Sequence, residues 1–158
     1  MSYNPEIPKN RYDNYGDREW TRLVKDGHGE LLYHVHFDIL KRYINQNDKV
    51  LEIGAGSGQY TKDIVKMCKE LTVGDISAHQ IEFNKSKMKE LSLFEKIKKF
   101  CVLDVLDMGI FEDSSFDCIV CIGGVINYLL DKEKDGINEM LRVLKPGGTL
   151  IVGAMSFI

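Results

Sequence analysis

Short apolar runs alternate with amphipathic, helix-forming stretches from position 49 onward. The apolar runs have the length of buried strands, and they occur at 49–53, 71–75, 97–103, 116–122 and 149–155. Helical spacing of apolar residues fills three of the intervening segments, 59–70, 78–93 and 132–144. Apolar strands that alternate with helices predict a parallel sheet with helices on both faces. We therefore expect a doubly wound α/β domain over 49–158.

The first 48 residues follow a different pattern. Apolar side chains recur there at helical spacing, at Leu32, Val35, Phe37, Ile39 and Leu40. This spacing predicts a helix that packs on the sheet before the first strand. We expect 1–48 to form a helical cap segment, separate from the α/β domain.

Three glycines at alternate positions, Gly54, Gly56 and Gly58, directly follow the first predicted strand. Glycine has no Cβ, so such a loop can turn sharply and bring backbone N–H groups against a ligand. The helix that follows points its positive end towards the same crevice. Strand, loop and helix together predict a nucleotide-type pocket at the carboxyl edge of the sheet.

The spacing and charge of this loop indicate which ligand it takes. A dinucleotide fingerprint needs Gly or Ala at position 59, where this chain has Gln59, and no Gly-Lys-Ser/Thr of a P-loop follows. Glu52 precedes the loop, and no Lys or Arg lies between Leu51 and Thr61. This environment favours a cation over a phosphate. S-adenosylmethionine, which carries a sulfonium and no phosphate, meets that requirement.

The second predicted strand ends in an acid, Asp75, 21 residues after Gly54. At this distance a carboxylate can accept hydrogen bonds from both hydroxyls of a ribose. A lone Asp at a strand end more often makes a turn, but the register with the glycine loop favours the ribose. Ser77 is predicted to cap the next helix.

Five segments in order resemble the motifs of class I S-adenosylmethionine-dependent methyltransferases, of the small-molecule type and the methyltransferase type 11/25 domain families. The resemblance spans 49–154. The segments are Glu52-x-Gly54-x-Gly56-x-Gly58, Gly74-Asp75-Ile76-Ser77, Asp104-Val105-Leu106, Phe116-Asp117-x-Ile119-Val120 and the helix, turn and strand of 139–152.

The resemblance implies a Rossmann-like, mostly parallel sheet with strand order 3-2-1-4-5, from which the family's strands 7 and 6 are missing. It also implies methyl transfer from S-adenosylmethionine to a small-molecule acceptor, with S-adenosylhomocysteine as product. The implied cofactor-binding residues are Glu52, Gly54, Ala55, Gly56, Gly58, Asp75, Ile76, Asp104, Val105, Ile122 and Gly123.

The resemblance implies a role for all of these positions except Ile76. The loop residues between 54 and 58 would approach the methionine portion, and Glu52 would organise the loop or the ligand's ammonium group. Asp75 would hold the ribose. Asp104 and Val105 would frame the adenine, while Ile122 and Gly123 would lie along the donor.

The sequence identifies no catalytic residue and no metal site. Methyl transfer needs no covalent nucleophile, because in-line positioning can supply ~7–11 kcal/mol of the barrier. A neutral imidazole can take a proton near pH 7, and His28, in an expected Gly-His-Gly loop, is the best candidate. His34 and His36 are expected on a helix without chemistry. Asn127-Tyr128 is not the Asn-Pro-Pro-Tyr signature of amino methyltransferases that act on nucleic-acid bases or glutamine.

Three aromatic residues of the N-terminal segment, Tyr12, Tyr15 and Trp20, suit a lid over a sulfonium or an aromatic acceptor. A packing anchor is an equally good interpretation of Trp20. Two other functions stay open. One is a non-catalytic S-adenosylmethionine-binding or regulatory module, and the other is a nicotinamide-dependent oxidoreductase, which Gln59 disfavours.

Composition narrows the partners. The net charge of −3 disfavours nucleic acid, and no apolar run approaches the ~20 residues that span a membrane. The N-terminus is too polar for a signal peptide, so a cytoplasmic location is expected. Cys118 and Cys121 fall three apart on a predicted strand and point to opposite faces, so they are expected to be reduced core residues.

The fifth predicted strand has no later strand to pair with, so its edge would be exposed. Such edges invite pairing with another chain. A fragment of a longer enzyme, a natural truncation and a homodimer that completes the sheet all explain the exposed edge. Of these, the abrupt apolar ending favours a fragment.

Overall fold

The computed structural model describes residues 2–14, 18–22 and 27–154, and within them a single sheet carries the fold. All four neighbouring strand pairs are parallel, in the order β3-β2-β1-β4-β5. This confirms the predicted α/β class and strand order. The strands are β1 Lys49–Ile53, β2 Glu70–Asp75, β3 Lys99–Val102, β4 Phe116–Cys121 and β5 Leu144–Val152.

Helices precede the sheet and connect its strands. Their bounds are α1 Glu6–Asp13, α2 Arg18–Arg22, α3 Gly27–Tyr43, α4 Thr61–Met67, α5 Ala78–Glu90, α6 Val125–Leu129 and α7 Glu133–Val143. The predicted cap of α5 is confirmed, because the Ser77 side chain accepts a hydrogen bond from the Gln80 backbone N–H at 3.1 Å. No helix of the described part of the chain is both long and apolar enough to cross a bilayer.

The core lies in two layers, one on each face of the sheet. Successive residues of β1 serve different layers, since Val50 packs in one and Leu51 in the other. Cys118 and Cys121 are likewise fully buried on opposite faces, as predicted. Burial on both faces explains why these strands have near-continuous apolar sequences.

Several predicted boundaries are wrong. The helix predicted over 59–70 ends at Met67, because Cys68 adopts an extended backbone and the N–H groups of Lys69 and Glu70 donate to the Asp48 carbonyl. The other two helices also end earlier than predicted, α5 at Glu90 and α7 at Val143.

The last strand differs most from its prediction over 149–155. β5 begins at Leu144, which pairs with Phe116, and the register then shifts so that Thr149 pairs with Cys118. The turn at Gly147, with φ of +78°, is therefore a bulge within the strand. Position 155 lies outside the described residues. Among the described strands, β5 pairs with β4 alone.

The N-terminal predictions need two corrections. His28 does not lie in a loop, since it is exposed in the first turn of α3. In the same helix Leu40 is fully buried, whereas Val35 is 47% and Ile39 36% exposed. The apolar spacing of α3 is therefore only partly a core-facing pattern.

Candidate functional site

A cleft of about 670 Å³, including space open to solvent, lies where the strand order reverses between β1 and β4. This is the position at which open α/β sheets bind ligands, outside the carboxyl ends of the strands. Its lining residues are Tyr3, Pro8, Tyr12, Ile53, Gly54, Gly56, Asp75, Ile76, Leu103, Asp104, Val105, Gly123, Val125, Tyr128 and Leu129.

Seven of the eleven residues implied by the sequence meet at this cleft. They come from the ends of four strands and are Gly54, Gly56, Asp75, Ile76, Asp104, Val105 and Gly123. The other four are not among the described residues that line it: Glu52, Ala55, Gly58 and Ile122 are buried beneath or beside the loop.

The glycine loop adopts a backbone that other residues rarely take. Gly54 has φ of +69°, and a Cβ there would lie 2.2 Å from Val125 Cγ2. Gly58 has φ of +97°, and a Cβ there would lie 2.6 Å from Asn84 Oδ1. Both positions require glycine for conformation and for close approach of neighbouring elements.

Asp75 ties the glycine loop to the next helix. Its carboxylate accepts hydrogen bonds from the Gly56 N–H at 2.8 Å and from the Ser77 N–H at 2.9 Å. The side chain is buried, yet it lines the cleft. Each carboxylate oxygen thus accepts a backbone N–H, which ties the loop to the start of α5.

Asp104 meets a residue that the sequence did not single out. Its Oδ1 accepts the Leu106 N–H at 2.9 Å, and its Oδ2 accepts the Tyr3 hydroxyl at 2.9 Å. The pKa of Tyr3 is raised above its usual value. Burial is the largest cause, the hydrogen bond to Asp104 is the second, and the negative charge of Asp104 is the third. Tyr3 also donates its backbone N–H to Asp131 Oδ1 at 2.9 Å.

Helix α1 contributes Pro8 and Tyr12 to the cleft lining and is held by contacts to both α5 and α6. On the α5 side, Gln80 Nε2 donates to the Tyr12 carbonyl at 3.1 Å and Ser77 Oγ donates to Asp13 Oδ1 at 2.5 Å. On the α6 side, the hydroxyls of Tyr12 and Tyr128 lie 3.3 Å apart. No pattern in the sequence indicates these contacts, because they join residues 64 to 116 positions apart.

The aromatic residues proposed for a lid separate in the structure. Tyr12 lines the cleft, whereas half-buried Trp20 packs against the core, with Lys87 Nζ 5.6 Å from its ring centroid. Trp20 is therefore a packing anchor. Position 15, the third lid candidate, lies outside the described residues.

Glu52 is 3% exposed and accepts a hydrogen bond from Thr61 Oγ1 at 2.7 Å. Burial raises the pKa of this carboxyl to about 8, and Thr61 opposes the shift. Thr61 is the first residue of α4, directly after the glycine loop. Of the two roles implied for Glu52, this contact supports organisation of the loop.

Because the pKa of Glu52 is raised, ionisation of this buried carboxyl lowers the free energy of unfolding. The folded protein binds this proton more tightly than the unfolded chain, so the free energy of unfolding falls as pH rises from ~4.5 to ~8. We expect Glu52→Gln to exceed wild type in unfolding free energy at pH ~8, by about 1 kcal/mol or more, and the gain to disappear near pH ~4.5. Urea unfolding across this range measures it.

The exposed Glu95→Gln change is the matched control, for which no such pH-dependent gain is expected. A gain for Glu52→Gln that is equal at both ends of the range would contradict a protonated, buried Glu52.

The histidines do not form a catalytic group at the cleft. His28 and His34 are exposed on α3, and His36 Nδ1 lies 2.7 Å from the Tyr60 hydroxyl. None of the three is among the described residues that line the cleft.

The charged side chains among the described residues that line the cleft are Asp75 and Asp104, so the cleft favours a cationic ligand. No cluster of three or more His, Cys, Asp or Glu suited to a metal ion occurs in the described ranges.

The fold and site together define a Rossmann-like domain with an acid-lined cleft beside a glycine loop. Residues 51–152 match the family model described as a methyltransferase domain, and the chain belongs to this family.

Named relatives agree with the family. The ubiquinone/menaquinone biosynthesis C-methyltransferase UbiE of Pseudomonas savastanoi pv. phaseolicola is 29% identical over 112 residues, which cover 69% of this chain and 42% of that protein. The chain thus spans less than half the length of this curated relative. A solved SAM-dependent methyltransferase of Methanosarcina mazei is 32% identical, with a TM-score of 0.59 and coverage of 71% of this chain and 54% of that one.

A third comparison concerns the fold alone. The solved [4+2]-cyclase SpnF has a TM-score of 0.79 and is 18% identical, with coverage of 94% of this chain and 59% of that chain. The same fold thus occurs in a protein named for cyclisation, so fold alone does not fix the chemistry.

Proposed function

We propose that this domain binds S-adenosylmethionine in the cleft and transfers its methyl group to a small-molecule acceptor. The observation that carries the proposal is the Asp75 carboxylate, which lines the cleft and holds the glycine loop through the Gly56 N–H. Membership of the methyltransferase domain family supports it, and so does the absence of Lys, Arg and His from the described residues that line the cleft.

The proposed placement of the donor follows the strand ends. The backbone of Gly54 and Gly56 receives the methionine portion, and Ala55 and Gly58, which do not line the cleft, hold the loop in shape beside it. Asp75 accepts the ribose hydroxyls. These groups lie at the carboxyl ends of β1 and β2, on one side of the point where the strand order reverses.

The adenine end of the proposed site is formed after β3 and β4. Asp104 accepts a hydrogen bond from the exocyclic amine of adenine, and Val105 contacts the adenine ring. Ile76 lies beside the ribose, and Gly123, with Ile122 beneath it, borders the donor. Asp104, Val105, Ile76 and Gly123 all line the cleft, which supports this assignment.

The reaction is an in-line displacement. An electron pair of the acceptor atom forms the new bond to the methyl carbon as the carbon–sulfur bond breaks, and the pair of the broken bond stays on sulfur. The proton that the acceptor carried leaves to solvent. The cationic sulfonium becomes the neutral thioether of S-adenosylhomocysteine. The protein supplies orientation and exclusion of water, and this positioning can account for ~7–11 kcal/mol of the barrier.

The acceptor is proposed to be small and largely apolar or aromatic. The cleft between α1 and α6 is lined by Tyr12, Tyr128 and Leu129. The matched curated relative is a C-methyltransferase of ubiquinone/menaquinone biosynthesis. The net charge of −3 argues against nucleic acid as partner. We also propose a cytoplasmic location, which the four unpaired cysteines support. We further propose that a homodimer can form through the β5 edge, because pairing with a second copy would cover that edge.

Turnover tests the proposal. Purified protein is incubated with S-adenosylmethionine and a panel of small phenols, amines and enolisable acceptors, and S-adenosylhomocysteine formation is measured against a no-acceptor control. Acceptor-dependent product supports methyl transfer. Binding of S-adenosylmethionine without turnover on any acceptor, in the longest available reading frame, would favour the non-catalytic module instead.

Tyr3 should compete with the cofactor, because its hydroxyl occupies the Asp104 carboxylate that we assign to the adenine amine. We expect Tyr3→Phe to bind S-adenosylhomocysteine about 3- to 10-fold more tightly, since one hydrogen bond of ~1 kcal/mol no longer has to be broken. Calorimetric titration measures the change. Tyr43→Phe, on an exposed tyrosine of α3, is the control. Weaker binding by Tyr3→Phe would show that the phenol supports the ligand.

A further inference from the structure

Asn84 is a fully buried amide on α5 that contacts the glycine loop. Its Nδ2 donates to Thr61 Oγ1 at 3.0 Å and to the Gly56 carbonyl at 3.3 Å. A carbonyl can only accept, so the amide nitrogen, not its oxygen, must face Gly56. The proposed function gives this residue no role.

The peptide groups of Gly56 are therefore held from two elements. Asp75, at the end of β2, accepts its N–H at 2.8 Å, and Asn84, on α5, donates to its carbonyl. Thr61 extends the chain of bonds, because it accepts from Asn84 and donates to Glu52. One continuous network thus joins β1, the loop, α4, α5 and β2.

Asn84 also fills the space beside the third loop glycine. A Cβ on Gly58 would lie 2.6 Å from Asn84 Oδ1 and 2.8 Å from its Cγ. That Oδ1 is buried and has no hydrogen-bond partner in the described structure. An unpaired buried acceptor costs ~1–3 kcal/mol, so an apolar side chain here would avoid a penalty that the amide incurs. What only the amide supplies is the pair of N–H bonds to Gly56 and Thr61.

We propose that Asn84 is a positioning residue for the cofactor. It fixes the Gly56 carbonyl and the Thr61 hydroxyl, and so keeps the loop backbone in the conformation that receives the methionine end of the donor. This inference rests on the proposed function, because it assumes that the loop contacts S-adenosylmethionine.

Three variants separate positioning from general stability. Asn84→Ala removes both donors, and Asn84→Asp keeps the size but replaces the donating amide by an acceptor. Met88→Ala is the matched control, because Met88 is fully buried one turn further along α5 and belongs to the apolar core. Each is titrated with S-adenosylhomocysteine at a temperature where circular dichroism shows it folded.

We expect both Asn84 variants to bind about tenfold more weakly or worse, and Met88→Ala to lose stability with wild-type affinity. Acidification from pH ~8 to ~5 should then restore binding to Asn84→Asp relative to Asn84→Ala, because a protonated carboxyl can donate again. Full burial at position 84 favours that protonation, and so does the Asp75 carboxylate, which bonds the same loop residue, Gly56.

A purely structural role predicts a different result. If Asn84→Ala and Met88→Ala change affinity alike, or if acid fails to restore Asn84→Asp, the positioning role is wrong while the proposed function stands. If wild-type protein itself does not bind S-adenosylhomocysteine, the proposed function fails, and the inference with it.

Discussion

Asp75→Ala should weaken the binding of S-adenosylhomocysteine by ~1.5–3 kcal/mol, about 10- to 150-fold in Kd. Two losses combine in this expectation. The ribose hydroxyls lose a charged acceptor, and the Gly56 and Ser77 N–H groups lose the carboxylate that ties the loop to α5. Calorimetric titration of the variant and wild type measures the change.

Two further variants, one intermediate and one control, bracket this expectation. Asp75→Asn keeps an acceptor oxygen and the side-chain volume, so it should fall between Asp75→Ala and wild type. Asp107→Ala removes an exposed acid that follows β3 outside the cleft lining, and it should bind like wild type. Unchanged affinity in Asp75→Ala would remove Asp75 from the site.

Gly54→Ala should destabilise the fold by ~2–5 kcal/mol and bring binding of S-adenosylhomocysteine below detection. A residue with a Cβ pays ~1–2 kcal/mol in the left-handed region, where Gly54 has φ of +69°. The new methyl group would lie 2.2 Å from Val125 Cγ2, and such overpacking costs a further ~1–3 kcal/mol. Urea unfolding and calorimetric titration follow the two effects.

A double variant tests the two causes separately. Gly54→Ala with Val125→Ala relieves the contact but keeps the unfavourable φ, so it should recover part of the lost stability. Gly27→Ala is the control, because nothing lies within 4 Å of its Cβ position and it is in α3. Full recovery in the double variant would mean that the left-handed backbone at position 54 costs nothing.

Local patterns predicted the parts of this molecule that depend on period and spacing. The opposite faces of Cys118 and Cys121 and the cap at Ser77 follow from a few neighbouring residues, whereas the strand order was implied only by the family resemblance, and the structure confirms all three. The approach of Asp75 to the glycine loop was also predictable, because parallel strands bring their carboxyl ends to one edge.

Long-range contacts and the ends of helices were not predictable in this way. The Tyr3–Asp104 bond joins residues 101 positions apart, and neither has a periodic signal that marks it. Helix α4 ends early because Asp48 captures the next backbone N–H groups, which a local helical pattern does not reveal. The amide of Asn84 lies within a lysine-rich helix whose sequence reads as a solvated surface.

Calorimetric titration of the wild-type protein with S-adenosylhomocysteine and, separately, with NAD tests the central claim most directly. The described lining of the cleft has two carboxylates and no cationic side chain, which predicts saturable binding of S-adenosylhomocysteine and no binding of NAD, since no lining cation would offset its diphosphate. Saturable binding of NAD with no heat from S-adenosylhomocysteine would contradict it.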